Sequence, residues 1–194
     1  ELCRQFSVSR TSIRAAIQKL NGMGIVITKQ GKGSFVSPSI NEGIKSSLFP
    51  IVNLTEKELM DILEFRETFE FKFIELVTLR ANEEDFARIQ EALDMMIACQ
   101  NDYRKYTQAD YQFHLSIAKA TGNEIFYNII LAFKDTFYNF LEELNRVLGV
   151  NTSPHGHSQL LEALKSRDAQ RAKKMVKKGL EESRAGIKKR LDSQ

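Results

Sequence analysis

Residues 6–37 read FSVSRTSIRAAIQKLNGMGIVITKQGKGSFVS, and this stretch decides the fold of the N-terminal end. Ser9 is a favourable N-cap for the helical run that follows it. In that run apolar residues recur at the i, i+3, i+4 and i+7 spacing of an amphipathic helix: Ile13, Ala16, Ile17 and Leu20. Gly22 and Gly24 end the helix, and the runs IVITK and SFVS around the turn QGKG predict a β-hairpin. With the helical ending ELCRQF before it, the predicted order is helix, turn, helix, strand, turn, strand.

The charge is distributed unevenly between the two ends of the chain. The 194 residues carry a formal net charge of +3. Residues 1–38 contain six basic residues and one acidic residue, a net charge of +5, so the remainder sums to −2. A basic head on a slightly acidic body suits a segment that binds a polyanion such as DNA. The same net charge would also be found in a segment whose basic residues are only solvated and bind no partner.

Composition excludes several classes of protein. The hydrophobic fraction of 42% and the charged fraction of 27% are those of a globular protein, not of a disordered chain. No apolar run approaches the roughly 18 residues that a membrane-spanning helix needs. Cys3 and Cys99 lie far apart and form no metal or redox motif, which indicates a reducing, cytoplasmic setting.

Helical patterns occupy the chain from residue 55 onward. Thr55 and Glu58 form the capping box of the first helix, and a connector with a short helix near residues 44–48 precedes it. Further helices are predicted over residues 82–100, 105–120, 124–148, 157–166 and 169–191, with Asn82, Asn123 and Asp168 as caps and residues 149–156 as a loop. Helices alone over this length predict an antiparallel bundle.

The N-terminal motif resembles the winged helix-turn-helix of the GntR family of bacterial regulators. The resemblance rests on VSRTSIR at the start of the second helix, a leucine and glycine before the strand, and QGKGSFV as the wing. The family's motif normally begins with a further helix, so we expect that helix to be missing from this sequence. The resemblance implies DNA contacts at the recognition helix and the wing glycine, which correspond here to Arg10, Thr11, Ser12, Arg14 and Gly31.

The residues themselves agree with such contacts. A recognition helix presents its N-terminal residues to the major groove, and Ser9 through Ser12 and Arg14 lie there. Arg10 and Arg14 share one face, away from the apolar stripe, and arginine can bind guanine edges. The wing turn offers Lys32 and free backbone amides to the DNA backbone. We interpret Lys19 and Lys29 as solvated surface, and a solvated helix face is also the alternative for the two arginines.

Residues 55–192 resemble the FCD domain, the helical effector domain of the FadR-type branch. The resemblance rests on DILEFRETFE, ADYQFHLSIAKATGN and HSQLLEALKSRDAQRAKKMVKKGL. In the family, D-x-x-x-H supplies two ligands to a divalent metal, and two histidines follow from the last helices. These positions correspond to Asp110, His114 and His157. Asp110 and His114 are four residues apart and share a helix face, and an inward Asp and His need a partner because unpaired buried charge is costly.

The fourth family position is Gly179, which has no side chain to coordinate a metal. Three outcomes stay open: three protein ligands with water or effector completing the coordination, a substitute such as His155, or no metal, with Asp110 and His114 hydrogen-bonded in a polar pocket. The metal would be a divalent ion such as Zn, Ni or Mn. The glycine itself suggests a close approach by a ligand or by backbone.

Arg66 lies in the first bundle helix at a position where the family often places an arginine near the effector. Beside a metal, a buried guanidinium would select a carboxylate ligand. An exposed helix ion pair with Glu70, four residues later, explains the same residue more simply. Both interpretations remain open from the sequence.

The sequence therefore predicts a mainly α protein: a truncated winged helix-turn-helix with a small β-hairpin wing at residues 1–38, a linker at 39–54, and an all-α antiparallel bundle of the FCD type at 55–192. Its expected function is transcription regulation, as a homodimer that binds a double-stranded operator and responds to an organic acid bound at Arg66, Asp110, His114 and His157. The alternatives are a metal-free dimerisation domain with a structural Asp/His pair, and a metal-dependent enzyme. The enzyme is disfavoured because the sequence contains no HExxH, phosphate loop or catalytic triad.

Overall fold

The computed structural model describes residues 2–37, 54–149 and 153–191. The chain divides into two compact units, residues 1–50 and 51–194. The linker predicted at 39–54, with its short helix near 44–48, lies outside the described residues apart from Leu54. In the described part of the chain, no helix combines the length and the apolar character needed to cross a membrane.

The first unit has the predicted order of elements. Helix α1 spans Leu2–Gln5 and helix α2 spans Arg10–Gly22, followed by strands β1 (Val26–Lys29) and β2 (Gly33–Val36). The strands pair antiparallel, with Val26 opposite Val36 and Lys29 opposite Gly33. Gly31 occupies the third position of the connecting turn with a φ of 72°, a left-handed conformation that favours glycine.

Helix α2 begins where its cap predicts. Ser9 is extended and its Oγ accepts a hydrogen bond of 3.1 Å from the backbone N–H of Ser12. Ile13, Ile17 and Leu20 are half-buried along one side of the helix. Ala16, which the periodicity assigned to the same stripe, is exposed, because within this unit the packed face of α2 is narrower than the predicted stripe.

The second unit is the predicted helical bundle. Helices α3 (Glu56–Arg80), α4 (Glu83–Ala98), α5 (Tyr103–Ala120), α6 (Glu124–Ala132), α7 (Lys134–Leu148), α8 (Ser153–Lys165) and α9 (Ala169–Leu191) follow one another. Capping boxes open α3, through Thr55 and Glu58, and α4, through Asn82 and Asp85. Because these caps are local hydrogen bonds, the sequence was able to place them.

The prediction of one helix over residues 124–148 is wrong, because Phe133 interrupts it. Phe133 adopts φ −87° and ψ 5° and separates α6 from α7. Its buried ring lies 5.1 Å from that of Phe65 on α3 and 6.3 Å from that of Phe137. This aromatic packing is tertiary, and the segment contains no proline or glycine that would signal a break.

The predicted loop at 149–156 is also partly wrong, since α8 begins at Ser153 and not near His157. Pro154 lies in the first turn, where the missing N–H of proline costs no helical hydrogen bond. Its carbonyl accepts a bond of 2.9 Å from Ser158 Oγ. The earlier start adds a helical turn before His157.

Arg167 joins the end of α3 to the turn between α8 and α9. Its backbone has a φ of 59°, and its guanidinium donates to the carbonyls of Val77, Thr78 and Ala81 at 3.1, 3.2 and 2.5 Å. The same group stacks over the ring of Phe86 at 5.0 Å. The arginine thus supplies donors to the carbonyls at the C-terminal end of α3, of which Val77 O also accepts a hydrogen bond from the backbone N–H of Ala81.

Candidate functional site

A cavity of about 620 Å³ lies inside the bundle. Side chains of α3, α5, α7, α8 and α9 line it, and five polar groups stand together in its wall: Arg66, Glu70, Asp110, His114 and His157. Apolar residues such as Leu141, Leu144 and Leu160 form much of the remainder. A largely apolar chamber with a few convergent polar groups is the usual form of a small-molecule site.

Three of these groups can reach one cation. Asp110 Oδ1 lies 3.6 Å from His114 Nε2, on the next turn of α5, and 3.3 Å from His157 Nε2, which comes from α8. Potential ligand atoms of all three residues lie within 4.8 Å of one another. Two ligands bound at about 2.0–2.1 Å to a tetrahedral ion lie roughly 3.3 Å apart, so separations of 3.3 and 3.6 Å suit a shared divalent metal.

The carboxylate of Asp110 is oriented for such a role. Asn145 of α7 donates from Nδ2 to Asp110 Oδ2 at 3.1 Å and to Thr107 Oγ1 at 3.3 Å. The other oxygen, Oδ1, is buried and accepts no hydrogen bond. Because a buried oxygen that accepts no hydrogen bond is costly and this one faces two imidazoles, the atom fits a bound cation.

The protonation states of the cluster also suit a metal. Burial opposes ionisation of Asp110, but close contact with His157, the nearby His114 and the hydrogen bond from Asn145 outweigh it and hold the pKa of Asp110 below its usual range. Burial and the charge of Arg66 lower the pKa of His114 to about 4. A carboxylate and a neutral imidazole are the forms that coordinate metals.

Arg66 is buried, with 8% of its surface exposed, and its Nε donates to Glu70 Oε1 at 2.8 Å. The predicted ion pair between Arg66 and Glu70 is present, but the prediction that this pair is exposed is wrong. Both side chains face the cavity because the bundle closes over this side of α3. The guanidinium lies 5.4 Å from the ring centres of Phe137 and Phe140, which is within cation–π distance.

Glu70 completes the polar wall. Burial opposes its ionisation, yet the charge of Arg66 and the hydrogen bond from its guanidinium outweigh that cost and keep the pKa of Glu70 below its usual range. Its Oε1 lies 3.4 Å from His114 Nδ1. An ionised carboxylate only accepts, so the proton of neutral His114 belongs on Nδ1, and Nε2 carries the lone pair.

Gly179 lies in α9 in the wall of the cavity. A Cβ at this position would meet no atom within 4 Å. The suggested close approach by backbone is therefore wrong, and the space beside the glycine is open. His155 is exposed, its Nε2 lies 3.0 Å from Gln159 Nε2, and it does not join the cluster of possible ligands in the described chain.

The residues predicted to contact DNA lie at the surface of the first unit. Side chains at the start of α2 and at the hairpin turn are exposed: Ser9, Arg10, Thr11, Ser12, Arg14, Gly31 and Lys32. Lys19 and Lys29, interpreted as solvated surface, are exposed as well. The expectation that the wing amides are free is wrong for Lys32, whose N–H donates to Lys29 O at 3.0 Å and closes the turn.

Sequence reasoning missed Asn145 and Thr107. A signal for Asn145 existed, because it follows Leu141 by four residues and therefore falls on the apolar face of α7. A polar residue at an inward position needs a buried partner, and that partner is Asp110. Thr107 gave no comparable signal.

Comparison with known proteins agrees with this architecture. Residues 61–182 match the FCD domain, and residues 1–36 match the bacterial regulatory proteins of the gntR family. The structure is similar to that of a GntR protein from Streptococcus agalactiae, with a TM-score of 0.72 over 95% of this chain and 85% of that chain; at 19% identity this is a likeness of fold.

Two curated relatives add sequence similarity. The chain is 32% identical to the HTH-type transcriptional regulator LutR of Bacillus subtilis, over 64% of this chain and 57% of LutR. It is 26% identical to the galactonate operon transcriptional repressor of Escherichia coli, over 68% of this chain and 59% of that protein. Each match thus spans less than two thirds of the relative. The family model that matches more than half of this chain is the FCD domain, and the chain therefore belongs to the FCD domain family, with an N-terminal segment that matches the gntR family of bacterial regulatory proteins.

Proposed function

We propose that the protein binds operator DNA and that a small carboxylate effector, held in the bundle cavity, controls its affinity for that DNA. In this proposal residues 1–38 form the DNA-binding domain, 39–54 the linker and 55–192 the effector-binding and dimerisation domain. The observation that carries the effector proposal is the buried Asp110 Oδ1, which accepts no hydrogen bond and lies beside two imidazoles in a cavity of about 620 Å³.

Asp110, His114 and His157 would hold a divalent metal, whose positive charge would attract carboxylate oxygens. Three protein ligands leave coordination positions for water or effector. Arg66 lies in the same wall and would bind the anion through its guanidinium. One relative is named for an operon of galactonate, a carboxylate, whose charge suits the cationic groups of the chamber.

A metal-free cavity with a structural Asp/His pair is the second candidate. Against it, Asp110 Oδ1 and His114 Nε2 are 3.6 Å apart, too far for a hydrogen bond. On this reading Oδ1 would depend on His157 Nε2, 3.3 Å away, and the proposed Asp110–His114 pair would not form.

The DNA part of the proposal rests on the exposed start of α2. Arg10 and Arg14 are exposed four residues apart, beside the hydroxyls of Thr11 and Ser12. A homodimer would place two such helices about one turn of DNA apart, so a two-fold symmetric operator is expected.

The test begins with selection of operator sequences from a random duplex pool, followed by fluorescence anisotropy of the selected DNA. Affinity should fall steeply with salt, because phosphate contacts release counterions. Metal content is measured on the purified protein by elemental analysis, and acetate and galactonate are then added to the DNA complex. Binding that does not respond to salt would contradict the DNA role. A protein that takes up no Zn²⁺, Ni²⁺ or Mn²⁺ would contradict the metal site.

A further inference from the structure

The lone pair of His114 Nε2 can be used either by Arg66 or by a cation shared with Asp110, but not by both at once. The nitrogen faces Asp110 Oδ1 at 3.6 Å, on the side where a shared cation would bind, and Arg66 Nη2 at 3.4 Å. Glu70 Oε1 lies 3.4 Å from Nδ1, and because an ionised carboxylate only accepts, the proton of the neutral ring belongs on Nδ1 and the lone pair on Nε2. A guanidinium only donates, and its contact with Nε2 therefore uses the lone pair that a metal would need.

Arg66 is fixed in this position by its surroundings. Its Nε is bonded to Glu70, and its guanidinium lies against the rings of Phe137 and Phe140. Only 8% of the residue is exposed, so it cannot turn into bulk solvent without losing these contacts. The guanidinium is permanently charged and would repel a cation bound at His114.

We propose that Arg66 couples the binding of metal and anion: the guanidinium competes with a cation for His114 Nε2, and an anion that engages the guanidinium removes that competition. The inference rests on the proposed function and goes beyond it, since it assigns to Arg66 an unfavourable effect on the metal site when no anion is present. Such coupling is reciprocal, so metal must strengthen anion binding by the same factor. Typical couplings of this kind change affinity by roughly 5- to 150-fold.

The experiment measures Zn²⁺ affinity of the full chain by competition with a chromophoric chelator, with and without acetate or galactonate at fixed free Zn²⁺. In the wild type, at least one of the two anions should tighten Zn²⁺ binding by about fivefold or more. In Arg66→Met, Zn²⁺ should bind about tenfold more tightly than in the wild type without anion, and the anion should have little further effect.

The matched control is Arg88→Met, which removes the same charge from a partly exposed arginine on α4 that pairs with Glu84 and Asp85. This variant should retain the wild-type Zn²⁺ affinity and the wild-type response to anions. Equal tightening in both variants would assign the effect to net charge and overturn the proposal.

Arg66→Met leaves Glu70 without its ion-pair partner, and an unpaired charge in the interior is strongly destabilising, so this variant can fail to fold. The double variant Arg66→Met, Glu70→Gln removes both charges and keeps an acceptor for His114 Nδ1. It should show the same tightening. The proposal is overturned if folded Arg66 variants bind Zn²⁺ no more tightly than the wild type, or if they keep the full anion effect. Absence of Zn²⁺ binding in every variant, by contrast, would contradict the metal site itself.

Discussion

The two carboxylate oxygens of Asp110 have different surroundings: one is hydrogen-bonded within the protein and the other faces the two histidines. Asn145 holds Oδ2 at 3.1 Å, and Oδ1 is thereby directed toward His114 and His157. The amide also bonds Thr107, so its own orientation is determined. Asn145 is therefore a positioning residue, which would act on a bound metal through Asp110 and not by contact.

Replacing Asn145 with Ala should lower Zn²⁺ affinity by about 10- to 100-fold, because residues that orient metal ligands commonly contribute that much. Asn128→Ala is the control, since Asn128 is exposed on α6. Chelator competition measures both variants, and circular dichroism verifies that they are folded. If folded Asn145→Ala binds Zn²⁺ as tightly as the wild type, Asn145 has only a structural role.

Position 179 allows the opposite test, in which a metal ligand is added to the site instead of a supporting residue being removed. The space around its missing Cβ is open and belongs to the same cavity as the cluster. In Gly179→His we expect Zn²⁺ binding to tighten about tenfold or more, as a fourth nitrogen completes a tetrahedral set. Gly179→Ala is the control and should keep the wild-type affinity. Equal Zn²⁺ affinities in the two variants would show that residue 179 does not reach the metal.

At the scale of elements, α9 carries two glycines with different surroundings. A Cβ at Gly179 would meet open space, whereas a Cβ at Gly186 would overlap Leu148 of α7 and lie 3.5 Å from Val147. Close packing of α9 on α7 therefore requires a residue without a Cβ at position 186. Position 179 has room for a side chain.

The two glycines should therefore respond to alanine with opposite signs. Gly179→Ala should raise the free energy of unfolding by about 0.5–1 kcal/mol, the helix-propensity gain of alanine over glycine. In Gly186→Ala the same gain is offset by displacement of Leu148, and overpacking of this kind costs about 1–3 kcal/mol. Urea unfolding measures both, and similar stabilisation by the two substitutions would mean that Leu148 moves aside without cost.

At the scale of the whole molecule, one end of the chain is basic and the other encloses the polar cavity. The charge of +5 within residues 1–38 includes Arg10 and Arg14 at the exposed start of α2. The two units are separate compact bodies, and in the proposed function an effector in one changes the affinity of the other for DNA.

Arg10→Ala should weaken binding to the selected operator by about 10- to 100-fold, since a base contact by arginine is worth about 1–3 kcal/mol. Lys19→Ala is the control on the same helix and should change affinity less than about threefold, as expected of solvated surface. Anisotropy at several salt concentrations measures both. A larger loss for Lys19→Ala than for Arg10→Ala would show that α2 meets DNA through a different face.

The sequence by itself determined the features that depend on neighbours in the chain. Ser9, Thr55, Asn82 and Asp168 were placed as caps because each cap bonds a backbone N–H only three residues away. The same locality set the mainly helical fold and the hairpin, and it placed Asp110 and His114 on one face of α5. His157 was a candidate only through the family resemblance, since no local pattern connects it to Asp110.

Tertiary structure decided whatever depends on distant segments. It buried Arg66 beside a half-buried Glu70, divided the predicted helix at Phe133, and brought Asn145 of α7 and His157 of α8 to the same carboxylate of α5. Periodicity shows which side of a helix faces inward but not which helix it meets. The partners of Asp110 and the setting of Arg66 were therefore fixed only by the packing of the helices against one another, which brings together residues distant in the chain.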